Sequence, residues 1–248
     1  MLLRWQGGLD RSKTSHQQAC FDGQNMSNSK NIQDLLVEGV ESLDLEIDGD
    51  GVSALSVYCS ELLKWSRKIN LIGKKQSLEQ VVENHFLDSL LLLRSLGSTS
   101  CRLADIGSGA GFPGLVCKAV FPGLDLVLIE PRLKRVSFLR HIVRVLNLSS
   151  VEILPTRVAE VGQGVLPFSH ITSRAVAEIV DFLEMTRYVA NNESRIVCMK
   201  GPKWKEELER ASEYLDSNDM VLEKTDELTL PFSGAKRAIL VFRSRKKR

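Results

Sequence analysis

The chain has 248 residues, with 33 Lys and Arg against 31 Asp and Glu and a formal net charge of +2. That balance excludes a histone-like polycation and an acidic tail protein. With 43% hydrophobic and 26% charged residues, wholesale disorder is excluded as well. The length suits one large domain with an appendage and a core of real size.

No apolar run reaches the roughly 18 residues of a membrane-crossing helix. The N-terminal segment lacks an apolar stretch of signal-peptide length, so the cytoplasm is the expected location. Cys20, Cys59, Cys101, Cys117 and Cys198 are scattered, without a CxxC spacing. They indicate neither a disulfide framework nor a metal site, and three of them read as small core residues.

Residues 1–30 are polar and irregular and read as a disordered tail, with Met26 as a second candidate start. A helical appendage is expected over 31–98. Residues 34–50 hold seven acids and no Lys or Arg, and Leu35, Leu36, Val40 and Leu43 give that stretch an amphipathic helix. Gly49-Asp50-Gly51 reads as a turn. Val52, Leu55, Cys59, Leu62, Leu63 and Ile69 recur at helical spacing, and a further helix is expected over 78–96, stopped by Gly97.

After Ser100 the pattern changes, and 99–243 reads as one α/β domain. Strands are expected at 102–106, 125–130, 151–154, 170–173, 195–200, 219–229 and 237–243. Helices are expected at 132–147, 176–190 and 203–216. Strand and helix in alternation imply a doubly wound, mostly parallel sheet. The last two strands have only a short turn between them, so they form a hairpin with one antiparallel strand. Residues 244–248 form a basic tail.

The strongest signal is Asp105-Ile-Gly107-Ser-Gly109-Ala-Gly111-Phe112-Pro-Gly114, between an expected strand and an expected helix. Glycine permits positive φ and close approach of a ligand to the backbone. The following helix start offers free N–H groups, and the carboxyl edge of an open α/β sheet is where ligands bind. Two readings compete. Gly109 to Gly114 fits the dinucleotide fingerprint, which would make a nicotinamide-dependent oxidoreductase. The other reading uses the acids. Asp105 would crowd a pyrophosphate but suits the amino group of a methionine moiety, and Glu130 suits ribose hydroxyls. Together they point to S-adenosylmethionine. The plain alternative for Asp105 is a loop cap.

The segments LLKWSRKINLIG (62–73), HFLDSL (85–90), LADIGSGAGFPG (103–114), LIEPRLKRVSFLR (128–140), TRVAE (156–160), TSRAVA (172–177) and MKGPK (199–203) together resemble the RsmG (GidB) family, the bacterial small-subunit rRNA guanine-N7 methyltransferases. The resemblance implies a class I adenosylmethionine-dependent methyltransferase fold, Rossmann-like with a seven-stranded sheet. It implies methylation of guanine N7 in the 530 loop of 16S rRNA, with the rRNA or the small ribosomal subunit as partner. By position, Gly107 and Phe112 then belong to the cofactor loop, Val158 and Ala159 flank the adenine, and Arg174 lies beside the cofactor. Family members often carry Glu where Ala159 stands, which leaves a backbone contact there. A non-catalytic rRNA-binding assembly factor is the remaining alternative.

Guanine N7 carries an in-plane lone pair and no proton, so its methylation needs no general base. The enzyme has mainly to hold donor and acceptor in line, which in favourable systems supplies up to ~7–11 kcal/mol. No Pro-Cys nucleophile and no (Asp/Asn)-Pro-Pro-(Tyr/Phe) loop is present, and Ser173-Arg174-Ala175 follows the fourth strand instead. Arg174 is the positioning candidate. Basic residues are the candidate RNA footprint. Lys134, Arg140, His141 and Arg144 share one side of the 132–147 helix, whose other side is apolar. Arg67, Lys68, Lys74, Lys75 and the C-terminal basic run add to it. His85, at the rim of the site, and Lys200, at the end of the fifth strand, are further candidates for contact with the substrate RNA, with core hydrogen bonding and a structural ion pair as their alternatives. Trp65 reads as packing. No heptad or dimer stripe appears, so a monomer is expected.

Overall fold

Asn31 fixes the start of the first helix. Its side chain accepts from the Asp34 N–H at 3.0 Å, and the Asp34 carboxylate accepts from the Asn31 N–H in return. This reciprocal cap satisfies two N–H groups that a helix start leaves open. Helix α1 spans Ile32–Ser42 and α2 spans Gly49–Ser66. The computed structural model describes residues 30–73, 75–97, 101–165, 167–174 and 178–245. The tail before residue 30 with Met26 and Cys20, Lys74, Ala175, and the last three basic residues lie outside the described residues.

The expected turn at Gly49-Asp50-Gly51 is instead the first turn of α2. Asp48 caps it, accepting from the Gly51 N–H at 2.8 Å. A Cβ on Gly51 would stand 2.8 Å from Ile47 Cγ2 and 3.3 Å from Val120 Cγ1, so this glycine serves close packing. The helix expected over 78–96 is interrupted. It runs as α3 (Leu78–Val81), a π-helical turn (Val82–Leu87), α4 (Asp88–Leu90) and, after a break, α5 (Leu93–Leu96). Gly97, at φ 70°, ends it as expected.

The sheet contains β1 (Arg102–Ile106), β2 (Asp125–Ile129), β3 (Val151–Leu154), β4 (His170–Arg174), β5 (Arg195–Lys200), β6 (Met220–Thr229) and β7 (Lys236–Ser244). Their order is β3-β2-β1-β4-β5-β7-β6. β7 runs antiparallel to both β5 and β6, and the other neighbours are parallel. The final hairpin thus folds back so that its second strand joins the parallel sheet. Helices α6 (Gly114–Val120), α7 (Leu133–Val145), α8 (Ile179–Thr186), α9 (Trp204–Arg210) and α10 (Ser212–Ser217) complete the chain. The expected helix over 203–216 divides at Ala211, which is fully buried and has its N–H shared among the carbonyls of Glu207, Leu208 and Glu209.

Alternating strand residues supply two cores. Leu103, Leu126, Leu128, Val197 and Val241 face one way, against α1, α2, the 78–96 region, α6 and α7. Ala104, Val127, Ile129, Ile171, Ile196 and Leu240 face the other way, against α8 and α10. The N-terminal helices therefore share a core with one face of the sheet. Glu83, buried in the π-helical turn, ties them to the distant hairpin. Its Oε1 accepts from Phe232 and Ser233 N–H at 2.6 and 2.8 Å. Cys59, Cys101, Cys117 and Cys198 are all buried thiols, as expected of core cysteines.

Candidate active site

β1 and β4 are neighbours, but the chain proceeds from β1 toward β2 and from β4 toward β5, on opposite sides. Their carboxyl ends open the crevice where ligands bind in such sheets. Asp105 of β1 lies opposite Thr172 of β4, and Arg174 ends β4.

The glycine turn after β1 is built as its sequence demands. Gly107, Gly109 and Gly111 have φ of 69°, 61° and 91°. The Ser108 carbonyl accepts from the Gly111 and Phe112 N–H groups at 2.7 and 2.9 Å. Tyr58 of α2, fully buried, holds the turn from outside by donating to the Ala110 carbonyl at 2.5 Å. Burial, then Asp105, pushes its phenol well above the ordinary range, so it stays a donor. A Cβ on Gly111 would lie 2.3 Å from Tyr58 Oη. Gly111→Ala combines that clash with a left-handed backbone, so it is expected to cost on the order of 2–4 kcal/mol. Urea unfolding with an unchanged slope checks this, and Tyr58→Phe should recover only part because the backbone penalty remains.

Asp105 is fully buried beneath the turn. Its Oδ2 accepts from the Gly114 N–H at 2.8 Å at the start of α6, which is the capping role. Its Oδ1 has no partner among the described residues. Burial pushes the carboxyl up to about 8, against the pull of the Gly114 N–H and Arg174. The Ser108 hydroxyl in the same turn is also buried without a partner among the described residues. Glu130, following β2, is buried as well. Its Oε2 accepts from Gly109 N–H and its Oε1 from Arg132 N–H, both at 2.9 Å, and Arg135 Nη1 stands 3.6 Å from Oε2. Each bonded oxygen keeps a lone pair.

Arg174 is the hub between sheet and N-terminal helices. Its Nη1 donates to the Asn84 carbonyl and to Asp88 Oδ2 at 3.3 Å, and its Nη2 donates to His85 Nδ1 at 3.2 Å. The guanidinium lies 4.9 Å from the centre of the Phe112 ring, within cation–π range. Asp88 Oδ1 accepts in turn from Arg237 Nε at 2.9 Å. His85 stacks on Phe112 at 5.1 Å, and its Nε2 faces Gln76 Oε1 at 3.0 Å. Burial first, then Arg174, holds the imidazole down to about 3. His85 is therefore neutral, with Nε2–H donating to Gln76 and Nδ1 accepting from Arg174. Phe112 is packed between His85, Tyr58 and Arg174, so the side chain shapes the turn from beneath.

A cleft of about 600 Å³ opens beside this hub, between the ends of β4 and β5. Its walls include Asp88, Ser173, Arg174, Met199, Lys200 and Arg237. The Ser173 hydroxyl is another buried group without a partner among the described residues. Lys200 pairs with Glu207 at 2.8 Å on the wall of this cleft. Val158 is buried in a short 3-10 turn after β3, and Ala159 beside it is exposed.

The basic helix is sorted by its contacts. Lys134, Arg140 and Arg144 are exposed on α7. His141 departs from the expected basic side, since its Nε2 meets Glu61 at 2.7 Å and its ring packs 5.0 Å from Trp65. Trp65 also packs on Phe138, as a core residue should. In the C-terminal run, Arg243 pairs with Glu223 and Arg245 with Asp216. Tyr58, Asn84 and Arg237 enter the site without a signal in the sequence strong enough to single them out. Only the Lys236-Arg237 pair at the start of an apolar strand hints at Arg237, and the Asn84 contribution is a backbone carbonyl that no side-chain pattern encodes.

A seven-stranded sheet with one antiparallel strand, a glycine turn after β1 and an acid after β2 define a class I, adenosylmethionine-dependent methyltransferase. Residues 52–239 match the family described as rRNA small subunit methyltransferase G, and the chain belongs to that family. It is 50% identical over 210 residues to the ribosomal RNA small subunit methyltransferase G of Desulfotalea psychrophila, covering 84% of this chain and 96% of that one. It is 35% identical to the protein of the same name from Syntrophus aciditrophicus, covering 84% and 88%. Among solved structures, TYW2 of P. horikoshii in complex with MeSAdo aligns with a TM-score of 0.51 at 13% identity, covering 71% of this chain and 66% of that one. The ribosomal protein L11 methylase of Lactobacillus delbrueckii aligns at 0.50 with 13% identity, covering 65% and 79%. These likenesses concern the fold. With the family shown, the dinucleotide reading of the glycines gives way to the methyl-donor reading.

Proposed function

We propose that this chain methylates guanine N7 in the 530 loop of 16S rRNA. The observation that carries the reading is a cleft suited to positioning, walled by Arg174, whose guanidinium packs on Phe112 of the glycine turn. Its histidine neighbour is neutral with both nitrogens engaged, and its buried acid Asp88 is held between two arginines. Both are committed to hydrogen bonds within the hub, and N7 has no proton to give.

The unpartnered Asp105 oxygen, the unpartnered Ser108 hydroxyl and the positive-φ glycines fit S-adenosylmethionine. The cationic amine would relieve a carboxylate that burial now opposes. Asp105, Gly107, Gly109 and Gly111 would hold the methionine end, Glu130 the ribose, and Val158 with Ala159 the adenine. Bound there, the sulfonium supplies an electrophilic methyl group. The chain's part is alignment. Arg174 spends three N–H donors on Asn84, Asp88 and His85, which fixes its guanidinium between the glycine turn and the cleft. Ser173 lines the same cleft, with its own hydroxyl buried.

Among the described residues no helix is long and apolar enough to cross a membrane. The reading takes the protein to work in the cytoplasm, as a monomer, on the small subunit or its rRNA. The test uses 16S rRNA from a strain lacking this gene, incubated with protein and adenosylmethionine and then cleaved at 7-methylguanosine by borohydride and aniline. A new cleavage in the 530 loop is expected. Its absence on both naked rRNA and 30S subunits overturns the reading and favours an assembly factor with an idle site.

A further inference from the structure

A second concavity, of about 620 Å³, lies on the other side of the glycine turn. Lys68, Ile69 and Asn70, just beyond α2, form one wall, and Arg132, Leu133, Lys134 and Arg135 at the start of α7 form the other. Arg135 joins it to the site, since Nη1 stands 3.6 Å from Glu130 Oε2 and 3.6 Å from where a Cβ on Gly109 would be.

Two features distinguish this groove. Three of its four cations lack acidic partners: the side chains of Lys68, Arg132 and Lys134 make no ion pair among the described residues, whereas Arg135 of the same wall and Lys64 nearby are paired. Basic side chains usually find acids on a protein of balanced charge, so three exposed cations converging without one leave a local positive field. The second feature is apolar. Leu133 is 70% exposed between those cations, with Ile69 half-buried across from it. An apolar floor between unpaired cations suits a nucleotide strand, with phosphates on the ammonium and guanidinium groups and a sugar or base face over Leu133. The α7 start reinforces the field, having no acid in its first turn and no side-chain cap at Arg132.

We infer that this groove binds the phosphate backbone of the substrate RNA next to the modified nucleotide, through Lys68, Arg132 and Lys134, with Leu133 as an apolar contact. The inference rests on the RNA-methyltransferase reading and sharpens it. The strand crosses the N-terminal end of α7 rather than following its length toward Arg140 and Arg144.

The test compares Lys68→Ala/Arg132→Ala/Lys134→Ala with a charge-matched control, Arg187→Ala/Arg195→Ala/Lys224→Ala, placed away from the groove. Binding of a labelled 530-loop hairpin RNA is followed by anisotropy across salt concentrations, and adenosylmethionine affinity is measured by calorimetry. For the groove variant, affinity at 0.1 M salt is expected to fall on the order of 30-fold, and the salt slope to shrink by about 2. The control should stay within about twofold of wild type, and both variants should keep wild-type cofactor affinity. Leu133→Ala should weaken binding without changing the slope. A groove variant with the wild-type slope and affinity, or a control that loses as much, overturns the inference. Because the readout is binding, failure of the methylation reading appears separately, as a wild type that binds the hairpin through this groove yet leaves no methyl group.

Discussion

Arg174→Lys is expected to fold, to bind adenosylmethionine, and to transfer the methyl group about 100-fold more slowly than wild type, the loss typical of an ångström-scale misplacement. A lysine supplies one charge to Asp88 but cannot at once reach Asn84 O, His85 Nδ1 and the face of Phe112, which are all held by one planar fork. Single-turnover methylation of unmodified 30S subunits checks the rate, and a wild-type rate would remove Arg174 from the positioning role. Arg174→Ala should do more than silence the site. Burial already opposes the guanidinium charge, and Asp88 and then Asp105 offset only part of that. Deleting the side chain leaves the Asn84 carbonyl and His85 Nδ1 without a donor, a loss of about 2–4 kcal/mol when buried partners go unpaired. Asp88 keeps Arg237, which is why the loss stops short of unfolding.

The π-helical turn is what brings this hub together, and it marks where sequence reasoning stops. Periodicity finds a helix over 78–96 because Val81, Val82, Phe86, Leu87 and Leu90 are all core residues. It cannot register a widened turn, whose signature is a changed hydrogen-bond pattern with ordinary residues. Yet that turn carries Asn84, His85 and Glu83, the groups that reach Arg174 and the hairpin. The glycine turn is legible for the opposite reason. Gly107, Gly109 and Gly111 occupy positive φ, a demand that sequence states directly. Gly51 shows the limit of that rule, since its glycine answers a packing demand from Ile47 and Val120 that only tertiary structure reveals. The strands are legible almost to the residue, because buried β-branched and leucine-rich runs bounded by polar residues leave few alternatives. His85 and Lys200 are legible as polar residues near the site, but their partners are not. Gln76 and Glu207 are neighbours in space that no spacing rule pairs with them.

Asp105→Asn should separate binding from stability in opposite directions. The Asn oxygen can keep the Gly114 N–H bond, and the amide removes a charge from a fully buried position. In the wild-type protein the folded carboxyl titrates near 8, against 3.8 for the ordinary group. Between those values the folded chain holds a proton that the unfolded chain has released, so stability falls as pH rises from about 4 to about 8. The variant lacks that slope. Its advantage over wild type is therefore expected to be small near pH 5 and to grow toward pH 8, reaching on the order of 1–3 kcal/mol, or several degrees in Tm. Adenosylmethionine affinity should move the other way, falling 100-fold or more as the cationic amine loses its carboxylate partner. Wild type should also release close to one proton on binding at pH 7, read from calorimetry in buffers of different ionisation enthalpy, and the variant none. Equal affinity and equal proton release would reduce Asp105 to a helix cap. A variant that binds poorly while melting higher at pH 8 would identify an acid kept in an unfavourable place because the ligand makes that place favourable.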